Sequence, residues 1–208
     1  LALFAGALFL WVLGAFSGLS LARHAGVVAA LIGSALAILG PRAGAGLAFP
    51  LGYMLFLVPF GEELVVPMQM VTAKLTIALV HLSGIPAQID GVFIDTPAGL
   101  FEVAEACSGV KFLVAMIAFG ALAANLCFRS WRRRAAFMLL SFAVPVLANG
   151  LRAWGTVFVA QYVGAEKAGG VDHLVYGWVF FAVVIAITLG LAWRFFDRPR
   201  DDAMIDPD

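Results

Sequence analysis

Seven long apolar runs dominate the chain: Leu1–Leu19, Ala25–Gly40, Ala43–Phe60, Leu64–Ser83, Gly109–Phe128, Ala135–Tyr162 and Leu174–Phe195. A helix rises 1.5 Å per residue, so about 20 such residues cross a bilayer core of about 30 Å. With 63% hydrophobic and 12% charged residues, no water-soluble domain of this size could hide so much apolar surface. The pattern predicts an all-α polytopic membrane protein, a bundle of about six to seven transmembrane helices spanning residues 1–196. The polar stretch 197–208 is expected to form a cytoplasmic tail. The chain opens inside an apolar stretch at Leu1, without Met or a basic flank, so its start is read as trimmed rather than as a signal peptide.

One stretch breaks the pattern. Residues 84–106 carry Pro86, Pro97 and the alternating Val92, Phe93, Ile94. Irregular backbone is not tolerated against lipid. The stretch therefore predicts a short strand or hairpin outside the bilayer core, ahead of the helix that carries Cys107.

Basic loops set the orientation of the later helices. Arg129, Arg132, Arg133 and Arg134 crowd one loop, and Arg194, Arg198 and Arg200 follow the last run. Two helices separate the clusters, so both face the cytoplasm, and loops 84–106 and 163–172 face the exterior. The first half is left open. Arg23 and Arg42 flank the second run, and Gln69, Thr72 and Lys74 interrupt the fourth. That run could span, re-enter or lie at the interface.

On this topology three polar residues converge. Cys107 begins one helix and His173 begins another, both at the outer face. Arg152 lies 18 residues past Arg134, about 27 Å up its helix. Asn149 is three residues before Arg152 and shares its helix face. Each residue alone has a plainer reading. A cysteine can be a small buried hydrophobe, and an arginine or histidine near an interface can snorkel. Lys111 reads as a solvated flank. Cys107 and Cys127 share one helix about 30 Å apart, too far for a disulfide.

Together the three suit acyl transfer. A thiolate attacks a carbonyl, a helix start and nearby cations favour its charged form, an imidazole moves protons, and a guanidinium holds an oxyanion. The N–H groups of Ser108 and Gly109 are expected to point outward and assist. A metal centre is not expected, because no paired His or Cys spacing occurs. No Gly-rich phosphate loop is present; no cofactor and no nucleic-acid partner are expected.

Three blocks, "EVAEACSGVKFL", "NGLRAW" and "DHLVYGWVFF", in this order resemble the signature blocks of the exosortase/archaeosortase membrane proteins. The likeness runs from about Leu64 to Phe181. It implies an active site of Cys107, Arg152 and His173, with Glu105, Ser108, Gly109, Asn149, Asp172 and Tyr176 supporting it or binding substrate. It further implies a bacterial inner-membrane enzyme with its site facing the periplasm. Such an enzyme would process exported proteins that end in a sorting motif, a transmembrane helix and a basic tail. The acyl group would pass to an acceptor. The alternative is a non-catalytic envelope scaffold or a small-molecule transporter, for which polar residues near the midplane would be expected.

Overall fold

The computed structural model describes residues 2–165, 168 and 173–197, and only the backbone for 173–176. Contacts divide the chain into two compact units, Leu1–Glu62 and Glu63–Asp208.

In the first unit, α1 (Ala2–Ser17) and α2 (Ser20–Gly46) form a hairpin. Its two helices approach almost backbone to backbone: a methyl on Gly26 would fall 2.5 Å from the Trp11 nitrogen. Gly40 leaves helical geometry (φ 78°, ψ 167°) just before Pro41, which kinks α2. The third apolar run does not form one span. Its first residues finish α2, and the rest makes α3 (Ala48–Tyr53) and a 3-10 turn, Met54–Leu57. Pro59 explains the stop: the residue before a proline is pushed out of helical geometry, and Val58 is extended (φ −77°, ψ 125°).

The second unit holds α4 (Val65–Leu82), α5 (Val110–Cys127), α6 (Trp131–Val163) and α7 (His173–Ala192). Among the described residues, five helical segments are long and apolar enough to span: Ser20–Gly46, Glu62–Leu82, Glu105–Cys127, Trp131–Val163 and Gly177–Phe195. α1 and the Ala48–Leu57 segment are shorter. The fourth run, ambiguous in sequence, is therefore a continuous helix of spanning length. Pro67 falls in its first turn, where its missing N–H costs nothing. Gln69, Thr72 and Thr76 face inward, and Lys74 is exposed.

α6 is the central post, packed on both α4 and α5. Small residues allow this. A methyl on Gly150 would lie 2.8 Å from the Leu75 side chain, and one on Gly120 would lie 2.5 Å from the Ser141 hydroxyl.

Residues 84–106 form more than a hairpin. Strands β1 (Gln88–Asp90), β2 (Phe93–Thr96) and β3 (Gly99–Glu102) make an antiparallel sheet in the order β1-β2-β3. The pairing Asp90↔Phe93 leaves a two-residue turn. Gly91 supplies its positive φ of 60°. Alternation along β2 sends Ile94 inward (1% exposed), into a cluster with Ala73, Ile77 and Val103. The sheet is thus pinned to α4 by a hydrophobic plug. Gln161 of α6 donates to the Thr96 hydroxyl at 3.1 Å.

Candidate active site

Cys107 ends a 3-10 turn, Glu105–Cys107, between β3 and α5. The Cys107 N–H donates to the Ala104 carbonyl (2.8 Å), and the Ser108 N–H donates to the Glu105 carbonyl (3.1 Å). The Ser108 N–H is therefore consumed within the turn rather than directed outward. α5 itself begins only at Val110, after Gly109 takes a left-handed conformation (φ 82°). Gly109 is required twice here. A side chain would strain that backbone, and its Cβ would fall 2.8 Å from the Asn149 amide.

Asn149 of α6 is the hub of the site, and it is only 2% exposed. Its Nδ2 donates to the Cys107 carbonyl and to the Thr72 hydroxyl, each at 3.0 Å. Its Oδ1 accepts from Arg152 Nη2 at 3.1 Å. One neutral amide thus ties the cysteine's backbone to the arginine's head. α4 grips the same turn at both ends. Gln69 Nε2 donates to the Val103 carbonyl (2.7 Å), and Thr72 Oγ1 donates to the Ser108 carbonyl (3.4 Å). Buried polar groups satisfied this way rigidify what they hold.

The Arg152 guanidinium lies 5.9 Å from the centres of both the Phe112 and Phe180 rings, a cation–π distance. No carboxylate pairs with it among the described residues. Its Nε is buried and has no hydrogen-bond partner among them.

Cys107 and Arg152 line one cavity of about 440 Å³, walled by Ile94, Phe101, Val103 and Val157 and by Thr76. A second cavity of about 380 Å³ is also lined by Arg152, together with Glu105, Ser108, Gly109, Lys111, Phe112 and Phe181 among others. Glu105 and Lys111 are both exposed, as a solvated flank would be, and both border this second cavity.

Of the sequence-predicted residues, the structure brings together Cys107, Arg152, Asn149, Ser108 and Gly109, with Glu105 beside them. The backbone of His173 opens α7. α7 reaches the site through Phe180, seven residues or about 10 Å further along. The side chains of His173 and Tyr176, and all of Asp172, lie outside the described residues. Gln69, Thr72 and Thr76 were not foreseen as site residues. Their spacing of i, i+3 and i+7 within an apolar run marks one polar helix face and was the available signal. Cys127 lies at the opposite end of α5, against the cluster of Ala123, Ala124 and Phe128, and neither cysteine forms a disulfide. Among the described residues no group of three His, Cys, Asp or Glu side chains converges.

A bundle of apolar helices, with a thiol and a guanidinium lining one cavity beside a small sheet, defines a multi-pass membrane protein. The chain belongs to the transmembrane exosortase family, whose model matches residues 1–190. No curated protein and no solved structure gives a match.

Proposed function

We propose that the protein is a membrane cysteine peptidase and transpeptidase that cleaves C-terminal sorting signals from exported proteins. The observation that carries this reading is the cavity shared by Cys107 and Arg152, joined through Asn149. The Cys107 thiolate attacks the scissile carbonyl carbon, and Arg152 holds the resulting oxyanion. His173 protonates the departing amine, the C–N bond breaks, and a thioester remains. An acceptor nucleophile, deprotonated by His173, then displaces the thiolate and takes the acyl group.

Residues 1–196 act as one membrane domain of the bacterial inner membrane. Residues 84–106 stand on its periplasmic side, and the tail 197–208 lies in the cytoplasm. A substrate with one spanning helix and a basic end presents its motif at that same outer face. The apolar walls Ile94, Phe101 and Val157 suit apolar side chains in the bound segment.

The test is co-expression with a substrate built of motif, transmembrane helix and basic tail, followed by intact mass of the product. Wild type is expected to yield a shortened product, or one carrying an acceptor mass. Cys107→Ala is expected to leave the substrate whole. Undiminished processing by Cys107→Ala would refute the reading.

A further inference from the structure

We propose that Thr76 of α4 contacts substrate: its hydroxyl donates, beside Arg152, to the carbonyl oxygen that Cys107 attacks. The inference rests on the peptidase reading above and adds a residue to it.

Hydroxyls on helices of this protein usually donate to the carbonyl four residues back. Ser34, Ser83 and Thr188 do so at 2.8 Å, and Thr156 does so at 3.2 Å. Thr76 departs from that habit. It is 1% exposed, and its Oγ1 has no partner among the described residues. A buried hydroxyl without a partner carries a desolvation cost that a native helix normally avoids. Thr72, one turn earlier, is fully engaged with Asn149 and Ser108.

Location gives the orphan its meaning. Three buried side-chain polar atoms lack partners among the described residues: Thr76 Oγ1, Arg152 Nε and Ser141 Oγ. The first two residues line the cavity that holds Cys107. Ser141 does not line it; its hydroxyl is pressed against Gly120, where α5 meets α6. A guanidinium Nε only donates. A ligand atom shared by Arg152 Nε and Thr76 Oγ1 must therefore be an acceptor. A peptide carbonyl that becomes an oxyanion under thiolate attack is such an atom, and it needs two donors set in advance.

The experiment uses the full chain with the same tripartite substrate, comparing Thr76→Val, Thr76→Ser, Ser141→Ala and Cys107→Ala for processing rate and melting temperature in detergent. Thr76→Val is expected to lose about 100-fold in rate, the usual effect of removing one oxyanion donor, with an unchanged or raised melting temperature. Thr76→Ser is expected to work close to wild type, and Ser141→Ala at the wild-type rate. Thr76→Val at full rate, with Cys107→Ala inactive, overturns this inference alone. A lowered melting temperature in Thr76→Val also overturns it, because the hydroxyl would then have a structural partner. Processing by Cys107→Ala instead defeats the underlying reading, whatever Thr76 does.

Discussion

Arg133 and Arg152 sit toward opposite ends of α6 and are held in opposite ways. Arg133 is half exposed and forms an ion pair with Asp197. It also donates to the Phe195 carbonyl at 3.2 Å. Asp197 accepts from the Arg129 N–H (2.7 Å), and its own N–H donates to the Cys127 carbonyl. The result is a clasp joining the end of α7 to the α5–α6 loop, with its charges cancelled. Arg152 is held by a neutral amide and two aromatic rings. That arrangement fixes the guanidinium in place, with no carboxylate against it among the described residues. The first arrangement ties two elements together; the second lines a cavity.

The sharpest way to break this comparison is to remove each cation in turn. Arg152→Gln is expected to cost about 100- to 1000-fold in processing, the range for a lost oxyanion donor. Arg133→Gln is expected to leave processing unchanged. Product mass ratios in the co-expression assay decide it, and equal losses at both positions would erase the distinction.

Gly109→Ala probes how firmly the turn is held. About 1–2 kcal/mol of left-handed strain is expected to add to about 1–3 kcal/mol of overpacking against Asn149. Thermal unfolding should show a clear drop, whereas Gly190→Ala, with nothing within 4 Å of the new methyl, should show none.

The smallest effect belongs to the clasp and to pH. The hydrogen bond from the Arg129 N–H holds the Asp197 carboxyl below its ordinary 3.8, and the charge of Arg133 adds to this. Because the folded state prefers the ionised form, this stabilisation is present above the unfolded pKa. It is lost as pH falls through the depressed folded value. Melting curves of wild type and Asp197→Asn should differ by a constant small amount from pH 7 down to about 5. They should converge only below the ordinary carboxylate range.

The broad architecture was legible because helix length in a bilayer is set by a simple ratio of thickness to rise. Hydrophobicity alone could not tell which runs were single helices. The run ending at Phe60 is as apolar as its neighbours, yet Pro59 stops it. α4 was obscured because Gln69, Thr72 and Lys74 looked like one polar interruption; the first two face the site and the third faces out. The third strand, Gly99–Glu102, has too short and mixed a pattern to announce itself, and it exists because β2 offers it a partner. Ile94 makes the sheet part of the core, so deleting 90–96 is expected to damage folding. Thr76 was hidden because a threonine inside an apolar helix passes for a valine until its hydroxyl is found without a partner among the described residues.

The length of α6 has a mechanical consequence. Its 33 residues measure about 50 Å, and even a tilt of about 40° leaves a rise of about 38 Å against about 30 Å of hydrocarbon. With Trp131 and the arginines anchoring one end, the surplus emerges at the other, where Gln161 grips the sheet. The sheet is therefore mounted on a mast stepped through the bilayer. Pro145 interrupts the hydrogen-bond ladder partway along that mast, so its straightness rests on the packing of α4 and α5 around it.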